Sequence, residues 1–339
     1  DLLGFLDLFA ATDVTIGASN ITAGTGFMAT AQGGTLTING ATIDTRGTPG
    51  VNFDGASVYL NAGNLIDIDN TSIFFESVIG TGQTLALTTF TGNMEINDSN
   101  FVSDFVGSDY FSDLVITSAG SVSIVDTNMR AEDISITSGF DAGITQTVTG
   151  TTIFESENRF TASASGTGSG FVSLDNIDAG GTVDIDGDTV DLQDATVTGN
   201  QIFIDSAAEI NVFDADVLAD TGTDRVISIN AGTTIDGNPD SLFKALQAPT
   251  IILGAGTGSI DVAIDTPTLT DLTVSAAGSI TIKESGDSTN SQGFNLVRGA
   301  GNVAVQSTTG NVEIEDAKKT ILATYEASQA TAVEPPAED

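Results

Sequence analysis

The sequence contains no Cys, no His and no Trp. Without Cys there is no disulfide framework, no thiolate nucleophile and no Cys-bound zinc or iron–sulfur centre. Without His the commonest general base, metal ligand and near-neutral pH switch are missing. Bases are scarce as well. Only 9 Lys and Arg stand against 46 Asp and Glu, a formal net charge of −37. Such a balance repels nucleic acid, which is bound through Lys and Arg on phosphates, and it is wrong for an anionic membrane surface. Pro is rare, at 6 residues, and no run reaches the about 18 apolar residues of a spanning helix. The greasiest stretch, Asp1 to Ala11, is short and carries two Asp.

What is present argues against disorder. Apolar residues make up 40% of the 339-residue chain and mean hydropathy is +0.15, whereas disordered chains pair high charge with low hydrophobicity. Gly is abundant at 38, beside much Thr, Ser, Asp, Ile and Val, which is the composition of strands and turns. A Cys-free, acidic, Thr-rich chain that starts without Met reads as an exported, processed protein.

One short pattern recurs: Gly, a small polar residue, then apolar–any–apolar. It occurs eight times, at Gly34–Ile38, Gly92–Ile96, Gly120–Ile124, Gly181–Ile185, Gly258–Val262, Gly278–Ile282, Gly301–Val305 and Gly310–Ile314. Gly suits a corner with positive φ, and the two apolar residues point the same way from a short strand. An Asx-rich corner follows many copies, as at Asn39-Gly40, Asp69-Asn70, Asn97-Asp98 and Asp126-Thr127, and a second short strand comes after it. Several spacings approximate multiples of about 20 residues, the length of one coil in short β-repeats. Two stretches read as short helices, Pro239–Ala248 and Asp316–Gln329.

Short strands with polar corners leave two architectures, a β-solenoid or tandem β-sandwiches. The similar, short repeats favour the solenoid. The expected fold is an all-β parallel solenoid over residues 21–316, right-handed by the crossover rule. Flanking it are an apolar cap or docking segment, 1–20, and a C-terminal extension with an acidic tail, 317–339.

The segments Ala119–Ile124, Ala179–Ile185 and Ala277–Ile282 resemble the repeats of filamentous-haemagglutinin-type and autotransporter-passenger surface proteins. The resemblance is one of repeat style. It implies a right-handed parallel β-helix on the cell exterior, used for adhesion or as an extended stalk.

Chemistry is thinly represented. Polysaccharide-degrading solenoid enzymes combine Asp clusters with Arg, Lys or His, and here the five Arg are scattered through the sequence. Two carboxylates could still serve a glycosidase, but no spacing singles out a pair. We expect no enzyme, no catalytic residue and no cofactor. Asp184, Asp186 and Asp188 match three positions of a calcium loop, yet Thr189 and Ala195 stand where that loop needs Gly and Glu, so they read as an outward strand face. Ice binding needs an unbroken Thr file. Thr35 and Thr37 have Asn93 and Glu95, Ser121 and Ser123, and Thr182 and Asp184 as equivalents on the other glycine-marked strands, so that file is interrupted by charge.

The ends are the informative part, because a solenoid must cap its edge strands or pair them. Leu2, Leu3, Phe5, Leu6, Leu8 and Phe9 form an apolar N-terminal patch; Ile321, Leu322, Tyr325, Val333, Pro335 and Pro336 lie in the C-terminal extension. We read both as subunit interface, joining copies head to tail in an extracellular or cell-surface filament. The alternative is a monomeric adhesin stalk that binds glycans or host surfaces, and exposed aromatics along one face would favour it.

Overall fold

A computed structural model describes residues 5–46, 57–75, 83–103, 112–139, 142–148, 153–164, 169–219, 225–239, 245–264, 269, 271–284, 303–307, 309–316 and 319–324, with 284, 303–304, 313–316 and 319–324 described by backbone alone. No helix occurs among them, and the chain is an all-β parallel solenoid. It falls into two units, Asp1–Asp188 and Thr189–Asp339.

In the first unit each coil contributes three strands, one to each of three parallel faces. Coil 1 runs through Phe5–Ala10, Val14–Ile16 and Asn20–Thr22, and coil 2 through Gly26–Ala31, Thr35–Asn39 and Thr42–Asp44. Coil 3 follows with Ser57–Ala62, Leu65–Asp69 and Ser72–Phe75, and coil 4 with Gln83–Thr89, Met94–Asn97 and Asn100–Ser103. Each strand pairs in parallel with its counterpart one coil on. The pattern continues to the strand Thr182–Gly187. Within the segment 1–20 expected as a cap or docking segment, the backbone of residues 5–20, continuing to 22, forms the first coil and pairs in register with coil 2.

The alternation of apolar and polar residues explains the layering. Inward residues stack like on like, as in the file Ile38, Ile68, Ile96, Ile124 on the second face, all of them fully buried. Each such Ile contributes about 1.5–3 kcal/mol by leaving water. The third face stacks Ile73, Phe101, Met129 and Phe154 in the same manner, and Phe154 also lies 5.7 Å from the ring of Phe160.

The two corner types work differently from the sequence expectation. Positive φ falls at the Asx corner, at Gly40 (68°), Asn70 (45°), Asp98 (46°) and Asp126 (45°). Asx tolerates this region because its short side chain bonds locally. The next residue is buried and carries a hydroxyl in three of four coils. The Thr71 hydroxyl faces the carbonyls of Asp69 at 2.9 Å and Ile38 at 3.5 Å, while Ser99 and Thr127 accept from the amides of Thr71 and Ser99, each at 3.2 Å. The glycine corners, by contrast, hold Gly63, Gly92, Gly120 and Gly139 outside the left-handed region. They are glycines because the coils approach closely. A Cβ on Gly63 would sit 2.5 Å from the carbonyl oxygen of Gln32, and one on Gly92 would collide with that of Asn64.

Coil length is uneven. Asp113 lies opposite Asp133, 20 residues on, and Gly26 opposite Ser57, 31 residues on. The variation concentrates between the third strand of one coil and the first of the next. A single residue, Glu132, makes that link between Asn128–Ala131 and Asp133–Ser138, whereas residues 47–56, 76–82 and 104–111 all fall there in other coils.

The second unit repeats the scheme. Gln201–Ser206, Val226–Ala231, Thr250–Ala255, Asp271–Ala276 and Val303–Ser307 form one parallel face. Ile210–Val212, Ile235–Gly237, Ile260–Ile264, Ile280–Glu284 and Asn311–Asp316 belong to another. Lys319–Thr324 then returns antiparallel against Asn311–Asp316. This overturns the helix expected over Asp316–Gln329 in its described part, 316 and 319–324: the free backbone groups of the last strand take a β partner, and edge pairing outweighs local helix preference. The helix expected over Pro239–Ala248 is absent from its described part, where Leu246–Gln247 is a strand against Val217–Leu218.

The two corner mechanisms can be separated by urea unfolding followed by circular dichroism. Gly92→Ala should cost about 2 kcal/mol or more, because the carbonyl of Asn64 must move. Asp98→Gly should stay within about 1 kcal/mol, since glycine accepts the same φ.

Candidate interaction surfaces

The first coil is open on one side. Its three strands pair only with coil 2 among the described residues. The inward side chains Leu6, Leu8, Val14 and Ile21 are therefore half-buried, although their register partners Phe27, Ala29, Leu36 and Ile43 are fully enclosed. Phe5 and Phe9 point outward, 51% and 65% exposed. Phe5 has a local task, because its ring covers Gly26, where a Cβ would come within 2.8 Å of Cδ2. Phe9 has no such partner in register, facing Thr30.

Leu2, Leu3, Tyr325, Val333, Pro335 and Pro336 lie outside the described residues. The backbone of Ile321 pairs with Ile314 and that of Leu322 with Glu313, within the second unit. In the same unit, Val303–Ser307 pairs with Asp271–Ala276 and has no second strand partner among the described residues.

A second surface escaped the sequence reading. On the first face of the first unit, two outward files run across coils 2 to 7 without a charge. One is Thr30, Asn61, Thr88, Thr117, Thr137, Ser163; the other is Met28, Tyr59, Ala86, Val115, Ser135, Thr161. Charge returns at Asp184 and Asp186. The other two faces differ. Their outward files include Asp67 and Glu95, and Asp44, Arg130 and Glu155. Within coils 2 to 7 the glycine repeats mark only the second face, where Thr37 meets Asp67, so a search along those repeats could not find the hydroxyl file. The available signal was the recurring outward pair before each corner, as in Ala86-Leu-Thr88, Val115-Ile-Thr117 and Ser135-Ile-Thr137.

The acidic motif at 184–191 has diverging carboxylates. Asp184 pairs with Arg159 at 2.8 Å. Asp188 turns inward, and its Oδ2 accepts from the amides of Ser169 (3.0 Å) and Gly170 (2.9 Å). Asp191 Oδ1 accepts from Asn211 Nδ2 at 2.9 Å. Among the described residues no group of three carboxylates is placed to hold a metal ion.

Like charges also stack. Asp113 lies opposite Asp133, and Glu132 occupies the bulge beside it. Burial, then the Asp133 carboxylate, raises the Asp113 pKa above the usual value. Burial, then Asp133 and Asp113, does the same for Glu132. Asp44 is shifted down, chiefly by the hydrogen bonds from Arg46, whose guanidinium also lies 4.5 Å from the Phe74 ring centre.

These directions fix the pH response. Asp113 and Glu132 are harder to ionise folded than unfolded, so they destabilise at neutral pH, and that cost is relieved as pH falls through their raised folded pKa values. Asp44 acts oppositely, stabilising above its unfolded value and losing that contribution only in stronger acid. Asp113→Asn should therefore raise the melting temperature at pH 7 by roughly 2 °C. The gain should vanish near pH ~4, where the unfolded carboxylate also protonates. Melting curves of both proteins at the two pH values check this.

Set against family models, curated proteins and solved structures, the chain gives no match.

Proposed function

We propose that the chain is a structural, non-enzymatic protein of the cell exterior, a subunit that stacks head to tail into a filament. The observation that carries this reading is the open first coil, with Leu6 and Leu8 half-buried in files that are fully enclosed one coil later. An edge that exposes both unpaired backbone groups and its core file favours addition of another strand.

The matching edge is Val303–Ser307 of a second copy. Its Val-x-Val-x-Ser pattern sets two branched apolar residues and a small one beside Leu6, Leu8 and Ala10. That order continues the files already stacked on each side, Phe27-x-Ala29-x-Ala31 and Leu272-x-Val274-x-Ala276. The segment Val303–Ser307 contains no Asp or Glu, so it brings no acid against Asp7 across the contact. A contact of unlike ends does not close on itself and yields a filament. The net charge of −37 keeps such filaments from bundling. The Cys-free, acidic composition supports an external location.

Negative-stain microscopy and light scattering of three proteins test this: the full chain, Leu6→Asp with Leu8→Asp, and the chain lacking residues 330–339. The first should form filaments, the second should remain monomeric and folded, and the third should still assemble. Monomers in every sample, or filaments that survive the Asp pair, would overturn the contact. Filaments lost only on removing 330–339 would transfer it to the tail and refute the strand-edge contact.

A further inference from the structure

We infer that the uncharged surface on the first face of coils 2 to 4 binds a neutral polysaccharide, with Tyr59 and Phe90 as its stacking platforms. This rests on observations separate from the open coil edge.

The first is charge. In a chain with 46 acids, the two files through Thr30, Asn61 and Thr88 and through Met28, Tyr59 and Ala86 carry none. A ligand bearing negative charge gains nothing at such a strip and is repelled by its surroundings. A cationic ligand would find its partners elsewhere, on acids such as Asp67, Glu95 and Asp113. The strip therefore selects an uncharged partner.

The second is the placement of aromatic rings. Tyr59 is 39% exposed and Phe90 59%. They stand on neighbouring strands, because Leu87 lies opposite Leu60. Phe90 directly follows the strand Gln83–Thr89 and is exposed at the bend there, with its amide bound to the carbonyl of Ala62 at 3.0 Å. That places it level with Gly63. The rings are thus offset by about 13 Å along the strands and about 5 Å across them. Gly63 has no side chain to cover one flank of Phe90, and Ala119 on the following coil is small. Between the rings lie the Asn61 amide and the Thr88 hydroxyl, and Asn61 Nδ2 reaches Thr30 Oγ1 at 3.4 Å.

Apolar ring faces alternating with hydroxyl and amide groups match the chemistry of a sugar chain, which has C–H faces and hydroxyl edges. Thr is stiff at χ1 and Tyr and Phe lose little rotamer freedom, so the surface is ordered before binding. A second copy of the chain is a poorer occupant. A stable protein contact needs about 800 Å² on each partner, more than a strip of three strands and two files provides.

The test is retention of the full chain on cellulose, chitin, mannan, dextran and β-glucan, beside polygalacturonate and heparin. At least one uncharged polymer should hold the chain, and added salt should not release it. Tyr59→Ala with Phe90→Ala should weaken that affinity about tenfold or more, as loss of an aromatic anchor does. Phe213→Ala, an exposed ring in the second unit, should leave it unchanged, and so should Leu6→Asp with Leu8→Asp. Melting curves establish that each variant is folded. Retention by none of the uncharged polymers, equal retention of the Tyr59/Phe90 variant, or stronger retention on the anionic polymers would overturn the inference.

Discussion

Parallel strands one coil apart are locked in register by backbone hydrogen bonds, and in a solenoid that register sets every residue over its equivalent. The consequence reaches each part of the molecule. Ile stacks on Ile in the core. Left-handed residues stack at one corner, where Asn70 donates its amide to the carbonyl of Asn97 and Asp98 to that of Val125. Glycines stack at another, where no Cβ fits. The same rule imposes a cost, since Asp113 is held against Asp133 without a cation between them.

A chain with 9 bases cannot neutralise 46 acids by ion pairs. Between coils, side-chain amides take that part. Asn39 donates to Asp69 (3.0 Å), Asn211 to Asp191 (2.9 Å), Asn230 to Asp205 (3.0 Å) and Asn238 to Asp214 (2.9 Å). An amide donor of this kind satisfies a carboxylate without adding charge, and hydrogen bonds to an ionised group are the stronger ones. The outward ladder of Asx and Thr is thus a device for stacking acids, as the inward ladder of Ile is for excluding water.

Much of the fold was legible because periodicity and corner chemistry are local signals. The apolar–any–apolar runs after glycine are strands, and the Asx corners are where the chain turns. Other features depend on what lies one coil away, which a linear sequence does not display. The reason for Gly92 is the carbonyl of Asn64, 28 positions earlier. The strand at Lys319–Thr324 answers to the free edge of Asn311–Asp316, and its local residues suit a helix as well. The uncharged files on the first face become visible only when strands without the glycine mark are placed in register. Gln146 is a further case. It interrupts the Ile file above Ile124, and its buried Oε1 accepts from the amides of Asp175 and Asn176. Nothing in the sequence distinguishes it from a surface Gln.

The link between the third strand of one coil and the first of the next ranges from Glu132 alone to the chain spanning 45–56, yet the pairings on both sides stay unbroken. Length is therefore decoupled from architecture at this position. The faces are copied from coil to coil under tight constraint, and the link is not. Segments of new sequence can enter the lineage there, coil by coil, without disturbing the stacked core. Room for new sequence in such a molecule lies along a seam, beside the first face and its two uncharged files.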